Sequence, residues 1–161
     1  MNQQTREKSN RSRLSKSLHT ISVIFLIIYL AVLFWQTFFY AYGSYQRFQQ
    51  AIIEFNLVPF KTIFHYMISF NRLNMNVWFF NLFGNVIAFI PFGLLLPYIT
   101  KKLNNMWRII VLTVLLSFFI ELMQIVYGVG VFDIDDIILN TVGGTVGYII
   151  KQLISNIHMK T

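Results

Sequence analysis

Residues 76–99 read NVWFFNLFGNVIAFIPFGLLLPYI, and they lie in a run from Leu73 to Thr100 that contains no Asp, Glu, Lys or Arg. A helix needs about 20 predominantly apolar residues to cross a hydrocarbon core roughly 30 Å thick. This stretch is long enough and apolar enough to do so. It therefore predicts a transmembrane helix at about 76–99.

Three further segments meet the same requirement. The third span holds one ionisable residue within its apolar stretch, Glu121, and the fourth is the weakest because its uncharged part covers only residues 137–150. The fourth segment spans only if Asp135 and Asp136 lie at one interface and Lys151 extends to the other. The three segments are 18–40, about 107–128 and about 136–157. Together the four spans predict an all-α integral membrane protein, a bundle of four transmembrane helices.

The composition agrees with a membrane protein and excludes several other classes. Of the 161 residues, 56% are apolar and only 12% are charged, whereas soluble domains carry about 25% charged residues. The absence of cysteine excludes a disulfide-stapled secreted module. The net charge of +7 does not indicate a nucleic-acid partner, because the basic residues are scattered between long uncharged runs.

Basic residues near the helix ends predict the orientation, because Lys and Arg accumulate on the cytoplasmic side. Only Arg47, Lys61 and Arg72 fall on one side of the predicted bundle. The other side takes Arg6, Lys8, Arg11, Arg13, Lys16, Lys101, Lys102, Arg108, Lys151 and Lys160. We therefore expect four spans with both termini cytoplasmic. A cleaved signal peptide is the alternative for the N-terminus, but the apolar stretch is longer than such peptides require.

Two segments outside the spans have their own character. Residues 1–17 form a basic cytoplasmic tail, which we expect to be flexible and to have an affinity for anionic headgroups. Residues 41–75 form an extracellular or interfacial loop that is too apolar for a simple linker. Within it, Phe48, Ile52 and Phe55 recur at helical spacing and predict a short interfacial helix. A second piece at 63–70 could be interfacial or re-entrant.

Polar side chains within the spans are the candidates for function, because each costs several kcal/mol at membrane depth unless it faces a partner or water. They recur at three- and four-residue spacing on each helix, in the outer half of the bundle. We infer a polar groove that opens to the outside and binds a ligand. Its candidate ligand-binding residues are Asn81, Asn85, Glu121, Gln124, Asp133, Asp136 and Asn140. The alternative is that the amides only hold helices together, and we expect Asp135 to be merely solvated.

Small residues and a proline have structural roles in this interpretation. Pro91 removes a helical hydrogen bond in the middle of the second span and is expected to kink it. Gly143 and Gly147 also form a G-x-x-x-G pattern, which is one possible face for a homodimer. The structural candidates are Pro91, Gly93, Gly143, Gly144 and Gly147.

Three motifs in order resemble those of the VanZ-like family of small bacterial membrane proteins. They are Asn85-Val-Ile-Ala-Phe-Ile-Pro-Phe-Gly93, Glu121-x-x-Gln124 and Asp133-x-x-Asp136-x-x-x-Asn140-Thr-x-Gly-Gly144-x-x-Gly147. The upstream Asn56-Leu-Val-Pro-Phe-Lys-Thr-Ile63 also resembles family members. The resemblance implies a multi-span bundle in the plasma membrane, and the family's namesake is associated with teicoplanin resistance. Many members place an arginine shortly before the first motif aspartate, where this chain has Gly128-Val-Gly-Val131.

Three functions remain open at this point. The first is a non-enzymatic envelope protein, without cofactor or metal, that binds membrane lipid, a polyprenyl-linked wall precursor or a lipoglycopeptide and contributes to glycopeptide resistance. The second is an intramembrane hydrolase or transferase with Glu121 as general base, Asp136 as a further catalytic candidate, and Asp133 with Asp136 able to hold a divalent cation. The third is a small proton-coupled transporter with Glu121 as the carrier.

Overall fold

A computed structural model describes residues 3–40, 55–68 and 75–158. The helices are α1 (Gln3–Trp35), which continues as a π-helical segment (Gln36–Tyr40), α2 (Lys61–Ile68), α3 (Met75–Ile99), α4 (Met106–Val126) and α5 (Ile134–His158). A 3₁₀ turn (Lys101–Leu103) connects α3 to α4, and two short strands, β1 (Phe55–Asn56) and β2 (Phe132–Asp133), precede α2 and α5.

Four helices of the described chain are long and apolar enough to cross a membrane. Their spanning parts are Ser17–Phe39, Leu82–Ile99, Met106–Val126 and Ile134–Ile157. The predicted all-α bundle of four transmembrane helices is thereby confirmed.

Three expectations about segments outside the spans can be set beside the structure. α1 begins at Gln3, so the basic segment that we expected to be flexible continues the helix, because no Gly or Pro interrupts residues 3–40. The interfacial helix predicted around residues 48–55 falls outside the described residues except for Phe55, which lies in β1. The second loop segment contains α2, and residues 69 and 70 lie outside the described part.

Glycines bring α3, α4 and α5 into close contact. A Cβ atom at Gly143 or Gly147 would lie 2.1 or 2.0 Å from a backbone carbonyl oxygen of α3, and one at Gly93 would lie 1.8 Å from the Gly144 oxygen. Gly144 in turn packs against Thr113 of α4. Gly143 and Gly147 are therefore used inside the bundle and are not available as a face for a second copy.

α4 and α1 complete the bundle through different contacts. The buried face of α4 repeats every three or four residues and consists of Ile109, Thr113, Ser117, Ile120 and Glu121. α1 is held against α3 by the Tyr29 hydroxyl, which donates to the Ala88 carbonyl at 2.8 Å. α3 itself continues through Pro91 and Pro97 to Ile99.

A two-residue parallel strand pair joins the first loop to the start of α5. Phe55 pairs with Phe132 and Asn56 with Asp133. The Phe132 ring also packs edge to face against the ring of Phe118 of α4, with 5.9 Å between the two ring centres. We call this end of the bundle, where α4 ends and α5 begins, the acidic end, because it carries Glu121, Asp133, Asp135 and Asp136.

Candidate functional site

Asp135 anchors the beginning of α2 to α5. Its Oδ1 accepts a hydrogen bond from the backbone N–H of Phe60 at 2.5 Å, and its Oδ2 accepts those of Thr62 at 2.7 Å and Ile63 at 3.2 Å. These are donors that a helix start leaves unpaired, and a carboxylate there also interacts favourably with the helix dipole. Phe60 has a φ of 66°, and its hydrogen bond to Asp135 helps to hold this left-handed conformation.

The expectation for Asp135 was therefore wrong. We predicted a solvated loop carboxylate, but its exposed fraction is 0%. The sequence pattern could not show this, because the three N–H groups that surround the carboxylate come from a loop more than 70 residues earlier in the chain.

Asp133 binds the side chains of the same loop. Its Oδ1 accepts from Asn56 Nδ2 at 2.9 Å, and its Oδ2 accepts from the Thr62 hydroxyl at 2.6 Å. Asn56 Nδ2 also approaches the Thr62 Oγ1 at 2.7 Å, so the three side chains form one network. Asp133 is consequently a structural clamp between β1, α2 and the start of α5.

Glu121 supports this clamp from α4. Its side chain is 2% exposed, and Oε2 accepts the backbone N–H of Asp133 at 3.0 Å. The carboxylate therefore holds the backbone of β2 in place. Glu121 therefore contacts the backbone of Asp133, the first aspartate of the third motif. From the sequence we could infer only that the two residues lie at a similar depth in the membrane.

Asn85 and Asp136 connect α3 to α5 at the same end. Asn85 Nδ2 donates to Asp136 Oδ1 at 2.5 Å, and both residues are half-buried. Tyr66 of α2 lies near this pair. Burial, and to a smaller extent the charges of Asp136 and Asp133, raise the pKa of its phenol above the ordinary value of 10.0. A phenol is protonated at neutral pH, so the Tyr66 hydroxyl is a potential donor near these carboxylates.

The other predicted residues lie around this cluster. Asn140, one turn further along α5, is 5% exposed and donates to the Ser117 hydroxyl at 2.8 Å. Its Oδ1 is buried without a hydrogen-bond partner in the described structure. Gln124 packs against the backbone of Gly130 and is not hydrogen-bonded through its side chain to the described cluster residues. Asn81 lies on α3 one turn before Asn85, and its side chain is outside those described.

Among the residues that the structure describes, the carboxylates of the acidic end have no basic partner. The charged neighbours of Glu121 are Asp133 and Asp136, and those of Asp136 are Asp133 and Asp135. Within the described residues, no group of three or more His, Cys, Asp or Glu side chains is arranged to hold a metal ion. The cluster is suited to ligand groups that donate hydrogen bonds, such as hydroxyl, amide or ammonium groups.

An apolar groove of about 700 Å³ lies between α1 with its π-helical segment and α4. Phe119, Met123 and Tyr127 line it at four-residue spacing. Glu121 is two residues from Phe119, so helical geometry places it on the opposite side of α4. The groove and the polar cluster are separate features, whereas the sequence predicted one polar groove. Its other lining residues are Ala31, Phe34, Trp35, Phe38, Phe39 and Val129.

Sequence reasoning missed three residues of the cluster, namely Asn56, Thr62 and Asp135. Asn56 and Thr62 belong to the upstream stretch that resembles family members, but their role depends on a contact between distant segments. The resemblance of residues 56–63 to family members was the sequence feature that could have identified them.

Comparison with known proteins agrees with the architecture. The VanZ/LLP1 family profile matches residues 25–155, which include the last third of α1 and nearly all of the remaining bundle. Protein VanZ of Enterococcus faecium is 34% identical over 135 residues, which make up 83% of this chain and 74% of that protein. No solved structure is significantly similar to this chain. This multi-pass membrane protein therefore belongs to the VanZ/LLP1 family.

Proposed function

We propose that this protein lies in the bacterial cell membrane, binds the polar head of an amphiphile at its acidic end, and contributes to resistance to teicoplanin-type glycopeptides. The observation that carries the proposal is the half-buried Asn85–Asp136 pair, which joins two spanning helices beside further carboxylates that have no basic partner in the described chain. The proposed role in resistance is supported by the similarity to Protein VanZ and by the association of that family's namesake with teicoplanin.

The chemistry of the site favours a particular kind of head group. Carboxylate and amide oxygens accept hydrogen bonds, so sugar hydroxyls, peptide amides and ammonium groups suit the site better than a bare phosphate does. A lipoglycopeptide, or the sugar and peptide part of a wall precursor, offers such donors. An attached apolar chain can lie against the exposed side chains of Ile87 on α3 and Val142 on α5.

Glu121 fits a positioning role better than proton transfer. A general base or proton carrier must reach its substrate, whereas Glu121 is 2% exposed and engaged with the Asp133 backbone. For this reason we place the enzyme and transporter hypotheses behind the binding protein.

Asp136→Asn is expected to abolish most of the resistance without removing the protein from the membrane. It removes the charge that strengthens donor binding, and loss of one charge-assisted hydrogen bond weakens binding about tenfold. Asn85→Leu should act similarly. Teicoplanin susceptibility would be measured in a susceptible host at matched membrane abundance, together with binding of the drug to purified protein.

Two further variants make this experiment decisive. Asn156→Ala, at an exposed position at the opposite end of α5, should retain wild-type resistance. Glu121→Gln keeps a carbonyl oxygen for the Asp133 N–H, so it should retain resistance, whereas the enzyme and transporter hypotheses require its loss. Wild-type resistance in Asp136→Asn at equal abundance would contradict the proposal.

Orientation can be tested independently, because the chain contains no cysteine. A Lys61→Cys variant should react with a membrane-impermeant maleimide in intact cells, since the proposed orientation places α2 outside. An Asn156→Cys variant should react only after permeabilisation. The reverse pattern would place the acidic end in the cytoplasm, where it could not meet an extracellular drug.

A further inference from the structure

The end of the bundle opposite the acidic end contains a buried lysine. Lys151 of α5 is 7% exposed, and its Nζ donates to the Asn104 Oδ1 at 2.9 Å. The ammonium also lies 5.8 Å from the centre of the Tyr98 ring, within the range of a cation–π contact. Gln152 donates to the same Asn104 oxygen at 3.1 Å. We call this region the basic end.

The ammonium of Lys151 has no anionic partner among the side chains that the structure describes. The carboxylates whose side chains the structure describes, those of Glu121, Asp133, Asp135 and Asp136, all belong to the acidic end. Lys102 and Arg108 add positive charge to the connection that carries Asn104, the partner of Lys151. An ammonium group has three donors, and the contact with Asn104 uses one of them. A buried charge of this kind is costly unless an anion neutralises it, so the site favours a negatively charged ligand.

The position of Lys151 indicates that this anion belongs to a lipid. Asn104 is exposed in the connection between α3 and α4, so the ammonium that it binds lies just beneath the surface at the edge of the spans. Trp107 is 75% exposed on the first turn of α4, as is typical of aromatic residues at a membrane interface. Ile154, one turn after Lys151 on the same face of α5, is 40% exposed and offers apolar contact for an acyl chain.

The guanidinium of Arg108 stabilises the connection around the site. It donates to the Lys102 carbonyl, while the backbone N–H of Arg108 donates to the Asn105 side chain at 3.2 Å. These contacts fix the turn that carries Asn104. The amide that orients the Lys151 ammonium is therefore held by an ordered connection.

We propose that the basic end binds the phosphate group of an anionic phospholipid, with the Lys151 ammonium as the main contact. Lys102 supplies additional attraction from the surface, and Asn104 orients the ammonium. Basic pockets between spanning helices are known to suit acidic lipid headgroups. This site is independent of the proposed function, because it lies at the other end of the bundle and uses none of the same residues.

The test compares purified protein in nanodiscs that contain phosphatidylcholine alone or with phosphatidylglycerol. Wild type should retain phosphatidylglycerol in native mass spectrometry and unfold at a higher temperature in its presence. Lys151→Gln should weaken the preference for phosphatidylglycerol about fivefold, since one basic contact near the surface contributes roughly that factor. Lys61→Gln makes the same change in net charge at the acidic end and should retain the preference.

Two more variants separate binding from folding. Lys151→Arg keeps the charge and should keep the preference. Asn104→Asp supplies a carboxylate within the chain, so it should stabilise the fold in phosphatidylcholine and remove the preference. Wild-type preference in both Lys151→Gln and Asn104→Asp would overturn the proposal. Equal stabilisation by inorganic phosphate would overturn it as well, because the site would then bind free phosphate.

Discussion

Asp135→Ala should release the start of α2 from α5 while leaving the four spans folded. Three backbone N–H groups, those of Phe60, Thr62 and Ile63, lose a carboxylate acceptor in this variant. An unsatisfied buried donor costs about 1–3 kcal/mol, and water at this end of the bundle compensates part of that cost. We expect a loss of about 3 kcal/mol in the local stability of residues 60–63, which corresponds to roughly 100-fold faster amide exchange.

Hydrogen–deuterium exchange in nanodiscs measures this effect at the amides concerned. Asp135→Asn keeps one acceptor oxygen and should show a smaller loss of protection. Asp136→Asn removes the neighbouring charge without removing an acceptor from those N–H groups, so its exchange at residues 60–63 should match the wild type. Unchanged exchange in Asp135→Ala would mean that the carboxylate does not hold α2.

Gly93→Ala is expected to disrupt the packing of α3 against α5. The added Cβ would lie 1.8 Å from the carbonyl oxygen of Gly144 and 2.7 Å from its carbon, and these are backbone atoms that cannot rotate away. Overpacking a core usually costs about 1–3 kcal/mol, and a clash with backbone belongs at or above the upper value. We therefore expect the free energy of unfolding to fall by about 3 kcal/mol or more.

Gly84→Ala on the same helix is the matched control. Apart from the adjoining backbone of the helix itself, no described atom lies within 4 Å of the Cβ that it would add. Replacement of a helical glycine by alanine should therefore be neutral or should stabilise the helix by about 0.5–1 kcal/mol. Unfolding of the two variants in mixed micelles, titrated with a denaturing detergent and followed by circular dichroism, compares them directly. Equal free energies of unfolding for the two variants would contradict the prediction, because they would show that α3 and α5 accommodate the added Cβ without an energetic cost.

The spans could be predicted from the sequence because membrane insertion depends on a local property. Charge-free stretches of about 20 apolar residues give the number of helices and their approximate positions. Even the weak fourth span follows this logic, since α5 carries Asp135 and Asp136 near one end and Lys151 near the other. The presence of four spanning helices required no knowledge of how the helices contact one another.

The candidate site could be predicted only in part. Asn85 contacts Asp136 and Glu121 contacts Asp133 at one end of the bundle, where the sequence also placed these four residues. The shared faces are only partly as expected, because Asp133 lies in β2 and Gln124 packs against Gly130. Spacing could not show that Asp133 and Asp135 are used by the first loop, because those hydrogen bonds join segments more than 70 residues apart. It also could not show that the apolar groove opens on the opposite side of α4, since that depends on where α1 packs.

The hydrogen bonds between the first loop and α5 impose an order on the biogenesis of the protein. Asn56 and Thr62 leave the ribosome 77 and 71 residues before Asp133, their partner. The loop therefore lacks this partner until α3 and α4 have been synthesised. The first three spans can be inserted and oriented before Asp135 is synthesised, so α2 acquires its cap only when the last span, α5, enters the bilayer.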